Sequence, residues 1–170
     1  MDVIFHIGAG KTGTSSIQRT LLNSSKKLSE NGVFYLGLML EHAPVKLYSW
    51  QKASATREFL VLNEEEAQRQ VERVISDSID ALTDKGINTL IWSNKWFFGR
   101  HASVLNPMQR LRNSGHKVKI IAYVRRHDSW AKSAYSQWGV KHKTYQGKII
   151  PFREYIEKRP VRFAGAFKPW

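Results

Sequence analysis

Short apolar runs and helical apolar stripes alternate along this chain. Val3 to Ile7 is a largely apolar run closed by Gly8, the pattern of a buried strand. Thr14 to Asn23 follows with Ile17, Leu21 and Leu22 on one side of a helix. Gly32 opens a second apolar run, Val33 to Leu40, read as a strand leading into a loop at Glu41 to Pro44. His42 to Leu62 has no clear period and reads as loop or short helix. Asn63 then caps the clearest helix, with Glu66 three residues on completing a box-like pair. Ala67, Val71, Val74, Ile75 and Leu82 form its stripe, and Gly86 is its stop. Ile87 to Ser93 is the next strand, Leu105 to Asn113 a helix, and Val118 to Val124 a strand ending at Arg125-Arg126. Asp128 is placed to cap a helix running to about Lys143, and Pro151 to Glu157 to form a short one. Strands alternating with helices predict a three-layer α/β/α fold on a central parallel sheet, whose ligands sit beyond the carboxyl ends of the strands.

Composition narrows the chemistry. A length of 170 residues, 42% of them hydrophobic, suits one domain spanning 1–170 and argues against wholesale disorder. With no cysteine, disulfides, thiolate metal sites and a cysteine nucleophile are excluded. No apolar run approaches the roughly 20 residues of a membrane span. Asp2 stands where a signal peptide would carry basic residues, so a cytoplasmic protein is expected. The net charge of +13 is unevenly spread. Up to Gly99 there are 11 basic and 11 acidic residues; from Arg100 onward there are 16 against 3. Such a field concentrates anions: nucleotide phosphates, an acidic polysaccharide, nucleic acid or a lipid surface. Charge is the only pointer to nucleic acid, and no recognised binding motif accompanies it.

Gly8-Ala9-Gly10-Lys11-Thr12-Gly13-Thr14-Ser15-Ser16 joins the first strand to the first helix. Its three glycines let successive amide N–H groups turn into one concavity, and the helix adds unpaired N–H groups and a positive dipole end. Lys11 supplies a point charge; Thr12, Thr14, Ser15 and Ser16 supply hydroxyls. The segment suits a phosphate or sulfate. It is not the nucleotide-triphosphatase loop, because counting back five from Gly10 reaches Phe5 where that motif needs glycine. Ile87 to Ser93 also lacks the acid that would help hold magnesium. A second anion site is suggested where Arg125 ends a strand and Ser133 follows eight residues later on a helix, a planar fork facing a hydroxyl.

Together the two segments are more specific. Phe5 to Gln18 resembles the 5′-phosphosulfate-binding loop of sulfotransferases that use 3′-phosphoadenosine 5′-phosphosulfate (PAPS). Tyr123 to Trp138 resembles their 3′-phosphate-binding segment, and the pattern is similar to bacterial sulfotransferase-domain proteins with carbohydrate-like acceptors. That resemblance covers residues 3 to 22 and 118 to 142 and implies a phosphate-loop fold of the nucleotide-triphosphatase type. It implies that Lys11 binds the 5′-phosphosulfate and stabilises the bridging oxygen, that Gly10, Thr12, Gly13, Thr14, Ser15 and Ser16 cradle the phosphate, and that Arg125 and Ser133 hold the 3′-phosphate. The expected reaction is metal-free transfer of a sulfuryl group to a hydroxyl of a saccharide, acidic or neutral, leaving 3′-phosphoadenosine 5′-phosphate (PAP). Glu41 or His42 is the expected general base.

The chain also departs from that pattern. Trp92-Ser93-Asn94-Lys95 stands where relatives commonly read Ser-Ser-Glu, so Lys95 reverses a charge. His101 and His142 are substitute bases. The sequence ends at Phe167-Lys168-Pro169-Trp170, earlier than the family pattern, which points to a shortened C-terminus. Trp130, Tyr135 and Trp138 are either core or a stacking platform. A degenerate sulfotransferase core without catalysis and a magnesium-dependent phosphate-loop kinase remain as alternatives.

Overall fold

In the computed structural model, which describes residues 1–143, 145–159 and 168–169, strand β1 (Asp2–Gly8) is the pivot of the fold. It pairs in parallel with β3 (Thr89–Ser93) on one side and with β4 (Lys117–Tyr123) on the other. The short β2 (Val33–Tyr35) pairs with the outer edge of β3, giving a four-stranded, all-parallel sheet in the order β2-β3-β1-β4. The molecule is therefore α/β, and its layout is compatible with a three-layer α/β/α arrangement. The side-chain period of two puts Val3, Phe5 and Ile7 on one face, all with no exposed surface. Leu90 and Trp92 of β3 join them, and the Phe5 ring sits 4.8 Å from that of Trp92. Burying each such side chain is worth about 1.5–3 kcal/mol.

The helices are α1 (Thr14–Asn23), α2 (Ser25–Glu30), α3 (Thr56–Leu60), α4 (Glu64–Thr83), α5 (Ala102–Asn113), α6 (His127–Ala134) and α7 (Phe152–Lys158). In α4 the stripe Ala67, Val71, Val74, Ile75 and Leu82 is buried, as its spacing predicts. Asn63 caps it by accepting the Glu66 N–H at 2.8 Å. The Glu66 carboxylate does not reach back to complete the box; it accepts from Arg69 and Gln70 instead. Helix α5 starts three residues before the expected Leu105 and carries Pro107 inside it.

Several elements differ from the sequence-based expectation. The apolar run Val33 to Leu40 leaves the sheet after Tyr35: Leu36 makes the last bond, to Ile91 O at 2.9 Å, and Gly37 then takes φ +93°. Its later members still serve the core, with Leu36, Met39 and Leu40 buried from a loop. A run of apolar residues reports burial, and burial is not unique to strands. Helix α2 leaves no mark in the apolar pattern, because Ser24 breaks the α1 stripe and none of the helix's own residues is buried. Asp128 sits in the first turn of α6 and binds the Arg126 guanidinium rather than capping the helix. The helix does not stay α to Lys143 but widens into a π-helix over Tyr135–Lys141. Gly139 lies there against Tyr135, where a Cβ would be 2.6 Å from the ring. No described helix is long and apolar enough to cross a membrane. Of the four C-terminal residues, Lys168 and Pro169 are described while Phe167 and Trp170 lie outside the described residues.

Candidate phosphate-binding site

Because all four strands are parallel, the segments leaving β1, β3 and β4 emerge at the same edge of the sheet. A cavity of about 640 Å³ opens there, lined by Gly10, Lys11, Gly13, Thr14, Ser15 and Ser16 from the first segment. Lys95 and Trp96 reach it from the second, and Arg125, Ser133, Gln137 and Trp138 from the third and its helix. This is the position in which parallel α/β sheets take their ligands.

The glycine loop runs from β1 into α1 through two left-handed residues, Lys11 and Gly13. Gly13 caps α1 from the left-handed region (φ +91°), and with no side chain it leaves the cap without a side-chain acceptor. Lys11 is also left-handed, at φ +72°, a conformation that costs a non-glycine residue about 1–2 kcal/mol. Strain of that kind is found where a backbone is held for function. Thr12 ties the loop internally, its hydroxyl donating to Ala9 O at 2.7 Å. Thr12 is thus the one cradle residue of the expected set that does not line the cavity; Thr14 is buried in the wall and Ser15 and Ser16 are exposed.

The opposite wall grips the loop. The Trp130 indole N–H donates to Gly10 O at 2.8 Å, and a Cβ at Gly10 would meet Trp138 at 3.4 Å. Lys11 Nζ donates to the Gln137 amide oxygen, which keeps the ammonium within the cavity. Arg125 is exposed, with one Nη1 at 3.4 Å from Lys11 O. The π-helical widening matters here, since Gln137 and Trp138 both lie on it and both line the wall; such segments recur at functional sites. The aromatic trio of the sequence reading thus splits. Trp130 and Trp138 brace the loop, whereas Tyr135 packs away from it against Phe152 and Tyr155.

Lys95 appeared in the sequence only as a departure, yet it enters the cavity wall. Its placement is set by Asn94, which is fully buried and bonded on all sides. The Asn94 backbone N–H donates to His6 O at 3.0 Å and its amide to Leu38 O at 2.7 Å, while its Oδ1 accepts the Trp96 N–H at 2.9 Å. The only signal in the sequence was position: Asn94 to Trp96 follow a strand of a parallel sheet, as Ala9 and Arg125 do.

Glu41 and His42 are not brought to this cavity. The Glu41 carboxylate accepts the Met39 N–H at 2.6 Å, filling the space over Gly37. His42 packs beside the Tyr35 ring, at 5.9 Å, and lines a separate cavity of about 340 Å³ with Leu22 and Lys26. Burial, reinforced by the nearby Glu41 carboxylate, pushes the Tyr35 phenol above its ordinary range. His101 stands at the start of α5 and His142 at the end of the π-helix, and neither lines this cavity. A buried imidazole stands on β1: His6, 4% exposed, with Nδ1 2.7 Å from the Ser93 hydroxyl. Its Nε2 is buried without a hydrogen-bond partner, and burial pushes its pKa below the usual value.

Searches against family profiles, curated proteins and solved structures found no match to this chain.

Proposed function

We propose that this chain is a cytoplasmic sulfotransferase core of the phosphate-loop type, which binds PAPS and moves its sulfuryl group to a hydroxyl of a saccharide. One observation carries the reading. The glycine loop and the Arg125/Ser133 pair, more than 100 residues apart in sequence, line a single cavity with Lys11 and Arg125 in its wall. A donor with phosphate groups at both ends of its ribose calls for two such sites. The loop amides, Ser15 and Ser16 would take the 5′ end, and Arg125 with Ser133 the 3′-phosphate.

In the transfer the acceptor oxygen forms a bond to sulfur as the bond from sulfur to the bridging oxygen breaks, and the hydroxyl proton leaves to a base or to water. Lys11 would offset the negative charge that grows on the bridging oxygen. Positioning and charge stabilisation would supply most of the rate. Among the described residues the wall contains no carboxylate, which fits this chemistry better than a magnesium-bound triphosphate.

A second reading, a nucleotide-binding core without turnover, is favoured by the placement of Glu41. Its carboxylate is spent on the Met39 N–H, away from the cavity. Calorimetric titration with PAP, ADP and ATP–magnesium separates the possibilities. Wild type is expected to prefer PAP, and Arg125→Ala to lose that preference by roughly tenfold or more, the worth of a charge-assisted hydrogen bond. A preference for ATP–magnesium would replace the reading with a kinase. Binding of PAP with no sulfation of any saccharide would favour the non-catalytic core, and sulfation kept near the wild-type rate in Lys11→Ala would remove the role given to that lysine.

A further inference from the structure

The phosphate sites leave one part of the cavity wall unused. Lys95 and Trp96 come from the segment after β3, while the loop residues follow β1 and Arg125 and Ser133 follow β4. The Lys95 side chain makes no hydrogen bond or ion pair among the described residues, and no acid shares the wall with it there. The Trp96 indole is 46% exposed and packs against no other ring among the described residues. Its neighbours in the 3₁₀ turn Lys95–Gly99 behave in the opposite way, since Phe97 and Phe98 are buried in the core at 1% and 7% exposure.

That turn is held in place from both sides. Phe97 stacks on Phe5 at 5.9 Å and meets Trp92 at 5.1 Å. Asn94, with no exposed surface, fixes the Trp96 amide through its Oδ1 and ties the turn to Leu38 and His6. A large indole and a lysine are thus presented to a cavity on a rigid base. An indole face suits the C–H face of a pyranose, and an unpaired ammonium suits an anion attached to it. The rest of the cavity wall has the same sign, because Lys11 and Arg125 also line it.

We propose that Lys95 and Trp96 form an acceptor subsite for a negatively charged sugar, with Trp96 stacking on the ring and Lys95 pairing with its carboxylate or sulfate. The proposal rests on the donor reading above and deepens it by naming the acceptor class. It also gives the reversed charge at Lys95 a consequence. A glutamate there would repel an acidic sugar, and lysine selects for one.

The test is titration of the full chain with a short oligoglucuronate and with a neutral glucose oligomer of equal length, followed by tryptophan fluorescence and calorimetry, each with and without PAP. The variants are Lys95→Ala, Trp96→Ala and Trp96→Phe, with Lys148→Ala as an exposed basic control outside the cavity wall. Wild type is expected to prefer the oligoglucuronate by roughly tenfold or more, and Lys95→Ala to lose that preference. Trp96→Ala is expected to weaken both oligomers and Trp96→Phe to recover part of the loss. PAP affinity in these variants should stay within about threefold, as the phosphate grips come from the segments after β1 and β4 and not from the turn that carries Lys95 and Trp96. Equal binding of the neutral oligomer, no binding of either, or an equal loss in Lys148→Ala would overturn the subsite. So would a loss of PAP affinity as large as that for the sugar, which would assign the pair to the nucleotide. If wild type takes up oligoglucuronate through Trp96 but no PAP, the donor reading fails while the subsite stands.

Discussion

Asn94→Ala should be among the most damaging single changes at the edge of the site, and its cost can be worked from the contacts. Three side-chain contacts disappear: the amide donating to Leu38 O at 2.7 Å and to Met39 Sδ at 3.3 Å, and Oδ1 accepting the Trp96 N–H at 2.9 Å. The two conventional bonds contribute about 0.5–1.5 kcal/mol each. Leu38 O keeps a donor, since the Trp92 indole N–H binds it at 3.0 Å. The Trp96 N–H loses its acceptor, at about 1 kcal/mol more if water does not replace it. The sum is about 2–4 kcal/mol. With a urea m-value of about 2 kcal/mol/M, the unfolding midpoint should fall by about 1–2 M. Asn94→Asp separates the two halves of the residue. The carboxylate keeps an acceptor for Trp96 but faces the Leu38 carbonyl, so its pKa rises above the ordinary value. A protonated carboxyl can donate to that carbonyl, so the deficit relative to wild type should shrink as pH falls through the raised pKa. A midpoint in Asn94→Ala within the shift of an ordinary surface substitution, about 0.5 kcal/mol, would refute the view that Asn94 fixes the turn.

Two further outcomes are expected. His6 is buried with its imidazole pKa lowered, so the unfolded chain takes up a proton at this position before the folded one does. Stability should therefore be constant above the unfolded pKa of about 6.5 and fall as pH drops below it, by at most about 1.4 kcal/mol per pH unit for this group. In His6→Gln, urea midpoints measured between about pH 5 and 8 should lose that component, and an unchanged slope would show that another group carries it. For Glu41, the carboxylate bond to Met39 N predicts that Glu41→Ala loses about 1–3 kcal/mol of stability while Glu41→Gln, which keeps an oxygen acceptor, loses less. Normal stability in Glu41→Gln together with abolished sulfation would instead place the carboxylate in the chemistry.

The chain's own pattern carried the α/β class, the strand that leads into the glycine loop and the long capped helix. The reason is local: an apolar run, a helical stripe, Gly13 at the helix start and Asn63 at a cap are decided by a few neighbouring residues. Lys11, Thr14, Ser15, Ser16, Arg125 and Ser133 were legible for the same reason, and the sheet brings them to one cavity. What tertiary structure alone decided is which distant segments meet. The parallel register of β1 with β3 and β4 carries Lys95 and Trp96 to the loop, and the π-helical widening adds Gln137 and Trp138. The same packing keeps Glu41 and His42 away, because the run after Tyr35 folds into the core as a loop instead of extending the strand. Spacing along a sequence records neighbours in the chain, and a site at the edge of a parallel sheet is made of residues that are neighbours only after the strands have paired.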